Sequence, residues 1–174
     1  VSFILKLCGV DLSYMGMSGN VEELRGAIEL HRGPDQSTDE QRAMLRSILD
    51  LADVEVDEIM THRKNVHMMD IDQSVDSIVT DILNSPYTRI PFWRNDPENI
   101  IGVVHAKAML KEMQNKSGKL TRAALEKLVT SPWFVPENTS LFDQLQNFRR
   151  RREHFALVVD EYGSFMGVVT LENI

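Results

Sequence analysis

The sequence predicts an α/β fold in which one β-α-β-β-α unit occurs twice. The main observation is an internal repeat, because Gly102-Val103-Val104-His105 recurs 65 residues later as Gly167-Val168-Val169-Thr170. A second observation is that Ile90-Pro91-Phe92 recurs at the same spacing as Phe155-Ala156-Leu157. A repeat of this length indicates a duplicated supersecondary unit. We therefore expect two similar halves that bury their apolar faces against each other about a pseudo-twofold axis, with a cleft between them.

Upstream of these segments the sequence offset between the two copies is one residue larger. Ser74-Val75 matches Ser140-Leu141 at an offset of 66. The break Asn84-Ser85-Pro86 interrupts the helical pattern of the first copy. We therefore place the extra residue of the first copy in that helix.

Each copy has the same predicted order: a strand, a helix, a two-stranded hairpin and a further helix. β-branched and aromatic runs predict the strands, Ser74 and Thr139/Ser140 are N-cap candidates, and polar segments with Asn, Pro or Gly predict the turns. The predicted strands are Val66 to Met69, Arg89 to Trp93 and Ile100 to Val104, then Trp133 to Val135, Phe155 to Val159 and Phe165 to Val169. The turns are 95–99 and 161–164, and the last helices start at Ala106 and Leu171.

The segment before the repeats is predicted to be helical. Apolar residues at helical spacing follow Val21, and Thr38 with Gln41 has the spacing of a capping box before a second apolar stripe that we expect to pack firmly. The resulting organisation is an N-terminal helical segment (1–53), a first unit (54–113), a linker with a short helix (114–128) and a second unit (129–174).

Composition excludes several classes of protein. The net charge of −7 argues against general affinity for nucleic acid, which needs clustered Lys and Arg. The single cysteine, Cys8, forms no disulfide framework within the chain, and the five histidines show no zinc spacing. The apolar stretch 1–10 is far shorter than the roughly 20 residues that span a bilayer. We read the chain as a fragment of a longer protein.

Four segments carry a resemblance to a known family: 58–61 (Glu-Ile-Met-Thr), 87–91 (Tyr-Thr-Arg-Ile-Pro), 158–163 (Val-Val-Asp-Glu-Tyr-Gly) and 168–172 (Val-Val-Thr-Leu-Glu). They occur in the order found in the HlyC/CorC family, some of whose members carry the name haemolysin and which is related to the cyclin M magnesium transporters. The duplicated unit resembles the CBS-domain pair, or Bateman module, of such proteins. The resemblance covers about residues 21–174.

The resemblance implies a non-enzymatic regulatory module that binds an adenine nucleotide, ATP or AMP. Because the chain is acidic and would repel free ATP, we also expect Mg²⁺ to bind through the nucleotide phosphates. The resemblance also implies a membrane domain for magnesium or cobalt efflux elsewhere in the full-length protein, a position on the cytoplasmic side of the membrane, and a homodimer. For the dimer contact we point to the apolar stripe of the helix that follows Ser74, which includes Ile78 and Ile82.

By the same resemblance, one nucleotide binds between the halves. The implied ligand-binding residues are Thr61, Tyr87, Arg89, Ile90, Pro91, Thr170 and Asn173. Asn173 stands where the family usually has an aspartate that binds the ribose hydroxyls. The equivalent pocket of the first copy is expected to be degenerate, because His105 and Ala108 replace Thr and Asp there.

Each of these residues also has an ordinary structural interpretation. Thr170 is a candidate helix cap, and Tyr87 with Arg89 is a candidate pair at the start of a strand. The run Arg149–Arg152 suits a helix C-terminus or solvent as well as phosphate, and Asp160 suits a turn as well as a metal.

Two alternative functions stay open at this stage. One is a dimerisation platform that binds no ligand, which the Asn173 and His105 departures favour. The other is the regulatory insert of a nucleotide-metabolising enzyme, against which the segments 87–91 and 160–163 argue.

Overall fold

The computed structural model describes residues 23–28, 30, 36–115 and 119–174, and the chain divides into two units between Val54 and Glu55. In the first unit, residues 23–28 are helical and helix α1 spans Gln36–Asp50. The guanidinium of Arg25 pairs with the carboxylates of Asp50, at 3.2 Å, and Asp53. The segment 1–10 with Cys8, and residues 116–118 of the predicted linker, lie outside the described residues.

Helix α1 differs from the prediction in two respects. It begins two residues before Thr38, so Thr38 is not its N-cap. Its apolar stripe is also more open than expected, since Met44 and Ile48 are 70% and 43% exposed. No element in the described part of the chain buries this stripe.

The second unit contains the repeat. Its elements are α2 (Val56–Ile59), β1 (Thr61–His62), a 3-10 turn (Arg63–Asn65), β2 (Met69–Asp70), α3 (Val75–Asn84), β3 (Arg89–Arg94), β4 (Asp96–His105), α4 (Ala106–Asn115), α5 (Arg122–Leu128), β5 (Phe134–Pro136), α6 (Leu141–Arg151), β6 (Phe155–Val159) and β7 (Phe165–Thr170). The order β-α-β-β therefore occurs twice, and the α/β class is as predicted.

Serine caps begin the equivalent helices α3 and α6. The Ser74 hydroxyl accepts a hydrogen bond from the Ser77 amide at 3.2 Å, and Ser140 does the same for Asp143 at 3.2 Å. Each bond satisfies one amide that the first helical turn leaves without a partner. Ser74 is confirmed as an N-cap, and of the two candidates in the second copy Ser140, not Thr139, is the cap.

Each half has its own small sheet. In the first, β2 pairs in parallel with β3 and β3 pairs antiparallel with β4. The second sheet has the order β1-β7-β6-β5, with β5 parallel and β7 antiparallel to β6. One strand from before the first repeat, β1, therefore belongs to the sheet of the second half.

The exchange of backbone between the halves is reciprocal. Thr61 and His62 of β1 pair with Val168 and Gly167 of β7, while Thr130, from the start of the second half, pairs with Val103 of β4. The Thr130 amide donates to the Val103 carbonyl at 3.0 Å and the Val103 amide returns the bond at 3.0 Å. This arrangement matches the pseudo-twofold packing predicted from the repeat.

Two glycines of the repeated motif make this exchange possible. A Cβ on Gly167 would lie well inside 3.0 Å of the Thr61 carbonyl oxygen, and one on Gly102 would lie 2.5 Å from the Thr130 carbonyl oxygen. Real Cβ atoms are not found so close to a backbone atom. Both positions therefore need glycine for close backbone approach.

The hydrogen-bond register corrects the predicted alignment of the copies. Arg89 pairs with His105 and Phe155 pairs with Thr170, so Arg89 corresponds to Phe155, 66 residues later, while His105 corresponds to Thr170, 65 residues later. The extra residue of the first copy thus lies in its hairpin and not in the helix. Register shifts flank Trp93, and Asn95 adopts a left-handed φ of 65°, which together accommodate this residue.

Four predicted elements also differ from the structure. The first strands of the copies are shifted towards the C-terminus, to β2 and β5, and β4 already begins at Asp96, within the predicted turn. After β7, Leu171–Asn173 form a turn and not the predicted helix, with the Asn173 amide donating to the Thr170 carbonyl at 3.1 Å.

The two halves share apolar surface as well as strands. Ile90 and Phe92 of β3 are fully buried against α3, α4 and α5 in the core of the first half. Ile100 of β4 packs in one cluster with Leu157 and Phe165 of the second half. Burial of each such side chain contributes about 1.5–3 kcal/mol to stability, so this packing holds β4 against β6 and β7.

Candidate functional site

A pocket of ≈ 440 Å³ lies where the ends of three strands from both halves meet. Its lining is contributed by the chain entering β3, the chain entering β6 and the chain leaving β7. The lining residues are Pro86, Tyr87, Thr88, Arg89, His154, Phe155, Thr170, Leu171 and Glu172. The structure therefore brings together Tyr87, Arg89 and Thr170 of the residues that the resemblance implies.

Backbone hydrogen bonds hold the walls of this pocket in place. The Ala106 amide donates to the Thr88 carbonyl at 3.0 Å, and the Leu171 amide donates to the His154 carbonyl at 3.1 Å. In each copy, the bond joins the residue just before the first strand of the hairpin to the residue just after the second strand. The pocket is thus framed by the same feature in both copies of the repeat.

Arg89 is the pocket residue with the clearest unused binding capacity. Its Nε atom is buried and has no hydrogen-bond partner in the described part of the chain. A buried donor without a partner is costly, and an anionic acceptor in the pocket would remove that cost. Arg89 is therefore suited to bind phosphate or carboxylate oxygens.

His105 lies opposite Arg89 in the β3–β4 ladder. Partial burial lowers the pKa of His105, the positive charge of Arg89 lowers it further, and Glu153 opposes the shift. His105 is thus biased towards its neutral form, which prevents a second positive charge from forming beside Arg89.

We expect this lowered pKa to make folding stability depend on pH. Below the ordinary histidine pKa of about 6.5 the unfolded chain binds a proton at His105 more readily than the folded chain, so acidification favours unfolding. Urea unfolding from pH 7.5 to 5 should show a steeper loss of stability in the wild type than in His105→Gln. Parallel pH profiles for the two proteins would contradict this assignment.

Thr170 and Asn173 form a local turn at the end of β7. The Oδ1 atom of Asn173 accepts hydrogen bonds from the Thr170 amide, at 2.9 Å, and from the Thr170 hydroxyl, at 2.7 Å. Thr170 donates in both contacts, so they differ from those of an N-cap residue, whose side-chain oxygen accepts a hydrogen bond from an amide. Of the amides in this turn, that of Glu172 donates to no acceptor among the described residues.

Tyr87 presents an aromatic face at the pocket. Its side chain is 52% exposed, and its ring stacks on His67 with centroids 6.0 Å apart and an interplanar angle of 27°. The Ser85 hydroxyl accepts a hydrogen bond from the Tyr87 amide at 3.2 Å and fixes the start of this segment. An aromatic ring that is held in place but half open to solvent can stack on a planar ligand.

The other implied residues lie outside the pocket lining. Ile90 and Pro91 are buried in β3, directly after Arg89, and Thr61 lies in β1 beside Val168. Asn173, whose side chain bonds to Thr170, is also outside the lining. The lining residues that sequence reasoning did not assign to the site include His154, Phe155 and Glu172, and the correct repeat register would have indicated Phe155 as the equivalent of Arg89.

Other charged groups have structural roles. Arg151 stacks over the Trp133 ring at 4.8 Å, and Arg150 donates to Asn147 at 2.9 Å, so these members of the arginine run serve the end of α6. Asp160 accepts hydrogen bonds from the amides of Tyr162 and Ser164 at 2.9 and 2.8 Å, as a turn residue does. These bonds, that from Ser164 above all, lower the pKa of Asp160.

Neither a protein-built metal site nor a membrane-spanning helix is found in the part of the chain that the structure describes. Across residues 36–115 and 119–174 with the short helical segment before them, no group of three His, Cys, Asp or Glu side chains is arranged to hold a metal ion. In the same part of the chain, no helix has the length and apolar character needed to cross a bilayer.

Duplicated α/β halves, exchanged edge strands and a pocket between the strand ends define a paired-repeat module. The sequence profile of the CBS domain matches residues 125–174. The CBS domain of a bacterial CNNM/CorC family Mg²⁺ transporter in complex with ATP superposes with a TM-score of 0.68 at 34% identity, over 77% of this chain and 93% of that one. The chain belongs to this CNNM/CorC family of CBS-domain proteins, as the sequence motifs predicted.

Two further relatives show similar levels of sequence identity to this chain. A CBS-domain pair with bound AMP from Klebsiella pneumoniae has a TM-score of 0.65 at 33% identity, over 69% of this chain and 94% of that one. The magnesium and cobalt efflux protein CorC of Pasteurella multocida is 32% identical over 164 residues, 92% of this chain and 53% of that protein. The chain spans between 40% and 53% of the length of the first curated relatives it matches.

Proposed function

We propose that this chain is the adenine-nucleotide-binding regulatory module of a membrane-anchored magnesium or cobalt transport protein. The observation that carries the proposal is the pocket between the halves, in which the buried Nε of Arg89 lacks an acceptor. Related CBS domains bind ATP and AMP, and this chain has the same fold. The module acts as a ligand sensor and not as an enzyme, and nucleotide occupancy changes the activity of a transport domain.

The nucleotide binds with its phosphates at Arg89. The Glu172 amide and the Thr170 hydroxyl oxygen add polar contacts at the end of β7, and Tyr87 stacks on or borders the adenine. Ile90, Pro91 and Thr61 set the position of the wall, and Asn173 holds Thr170 in place. The two CBS units correspond to residues 54–113 and 129–174, joined by the linker 114–128.

The preferred ligand is ATP with Mg²⁺. Arg89 supplies one positive charge, whereas the chain as a whole is acidic, so a polyphosphate needs further neutralisation. Mg²⁺ coordinates phosphate oxygens and provides it, without a metal site made by the protein. Binding would then report both the nucleotide and the ion that the transport domain handles.

Two chains pair through their helices, on the cytoplasmic side of the membrane. The contact we propose is not the apolar stripe of α3 that the sequence suggested, because Ile78 and Ile82 of that stripe are buried within their own half. Leu83 of α3 and Phe142 of α6 are instead 54% and 38% exposed, and these apolar side chains favour a helix-mediated homodimer.

Thermal-shift titration with AMP, ADP and ATP, each with Mg²⁺ or a chelator, tests the function. A ligand that binds only the folded state at 100 times its Kd stabilises it by about 2.7 kcal/mol. We expect the largest shift from ATP with Mg²⁺. Equal shifts from AMP would overturn this choice of ligand, and no shift from any nucleotide would favour the ligand-free dimerisation platform.

A further inference from the structure

The two halves of the repeat differ in polarity at one position of their cores. Ile78 and Gln144 are equivalent, because each follows the serine that caps its helix by one turn and donates its amide to that serine's carbonyl, at 3.1 and 2.9 Å. Both side chains are fully buried. The second half therefore has a side-chain amide where the first half has an apolar group.

The surroundings of Ile78 suit its side chain, whereas those of Gln144 do not. Ile78 packs in the apolar cluster of the first half together with Ile82 and Met109. Neither Nε2 nor Oε1 of Gln144 has a hydrogen-bond partner in the described part of the chain. A polar group that is removed from water without a compensating hydrogen bond destabilises the folded state. Gln144 is thus a source of instability in the core of the second half.

This instability acts on the second half and not on the first. Gln144 lies on the buried face of α6 with Leu141 and Phe148, and the Phe148 ring meets the edge of Trp133 of the same half at 5.4 Å. The first half has its own sheet, and its apolar cluster contains no residue of α6. Proteins open in cooperative units whose free energies of opening differ. A half with an unpaired core amide should be the first to open.

We propose that Gln144 is a conformational device that makes the second half open locally while the first half stays folded. Opening displaces the chain that enters β6 and the chain that leaves β7, both of which line the pocket. The shape of the pocket then depends on an equilibrium that this one side chain shifts. The inference concerns the protein without ligand, so it holds whichever molecule the pocket binds.

Hydrogen exchange of the ligand-free protein, followed by NMR, tests the proposal at two equivalent amides. Phe148 of α6 and Ile82 of α3 are both buried, one turn after the compared positions. In the wild type we expect the protection factor of the Phe148 amide to be at least about fivefold below that of Ile82.

Gln144→Met keeps much of the size and flexibility of the side chain and removes both unpaired atoms. It should raise the Phe148 protection factor about 5- to 100-fold, the range that corresponds to one buried polar group without a partner. The Ile82 protection factor should change by less than about threefold, because the first half opens separately.

Gln146→Met is the matched control, because it makes the same substitution on the same helix at a half-buried side chain. It should leave the Phe148 protection factor within about threefold of the wild-type value. An unchanged or lower Phe148 factor in both Gln144→Met and Gln144→Leu overturns the proposal, since the amide then does not destabilise the second half. An equal rise at Phe148 and Ile82 also overturns it, because the two halves would then open only together.

Discussion

Replacing Gly167 by alanine is expected to lower the free energy of unfolding by about 1–3 kcal/mol, the usual cost of overpacking a core. The added Cβ would overlap the carbonyl oxygen of Thr61. This oxygen is a backbone atom of the exchanged strand β1 and cannot move aside as a flexible side chain would. Strand β1 must move away from β7, and the pairs Thr61–Val168 and His62–Gly167 are then weakened. Urea unfolding measures the loss, and amide exchange at Thr61 and His62 locates it.

The repeat provides a second site and the N-terminal unit a control for this prediction. Gly102→Ala should destabilise by a similar amount, since its Cβ would meet the Thr130 carbonyl oxygen at 2.5 Å as well as the Val129 side chain. Gly26 lies in a helix with no atom within 4 Å of its hypothetical Cβ, so Gly26→Ala should be neutral or stabilise by up to about 1 kcal/mol. Equal effects at all three positions would show that strand exchange is not the cause.

The strand exchange also connects the core to the site. β1 pairs with β7 at Val168 and Gly167, and Thr170, at the end of β7, lines the pocket. Strand β1, which precedes the first repeat, therefore holds β7 of the second repeat in place by backbone pairing. The pocket is lined by residues of both halves, so its shape depends on their pairing.

The duplicated fold was predictable because its signals are local and occur twice. The Gly-Val-Val motif, the serine caps of α3 and α6 and the hairpins all appear in the sequence at matching positions. The register was not predictable from hydrophobicity. Ile90, Pro91 and Phe92 are consecutive buried residues, and a strand buried on both faces has no alternation that would reveal a shift of one residue.

The exchanged strand β1 was missed for a different reason. It contains only Thr61 and His62, too few residues for a strand pattern, and its partner lies more than 100 residues later in the chain. Glycines in the middle of predicted strands were the available signal, because such glycines often mark a close approach of another backbone.

Only part of the site was accessible from sequence. Tyr87, Arg89 and Thr170 were reached through the resemblance to the family, and the structure gathers them in one pocket. Asn173 was predicted from the family pattern, but its side-chain oxygen accepts hydrogen bonds from Thr170 within the turn, and spacing alone does not contain that information.

Replacing Arg89 by methionine is expected to weaken nucleotide binding about 10- to 100-fold, the loss that corresponds to about 1.5–3 kcal/mol for a hydrogen bond to a charged group. Methionine keeps much of the aliphatic volume but removes the charge and the N–H donors of this lining residue. Folding should be little affected, because the buried Nε of Arg89 forms no hydrogen bond with the described residues. Calorimetric titration with ATP and Mg²⁺ measures the affinity.

Two controls separate a binding role of Arg89 from a general effect of charge. Arg63→Met removes the same charge from a side chain that pairs with Glu98 at 2.7 Å and lies outside the pocket, so nucleotide affinity should change by less than about threefold. In Arg89→Met without ligand, the pKa of His105 should rise, because the charge of Arg89 helps to lower it. NMR titration of the His105 ring measures that change and shows that the substitution acts where intended. Equal losses of nucleotide affinity in both arginine variants would mean that the attraction is diffuse, whereas a large loss in Arg89→Met alone, accompanied by the rise in the His105 pKa, would place the phosphates at the start of β3.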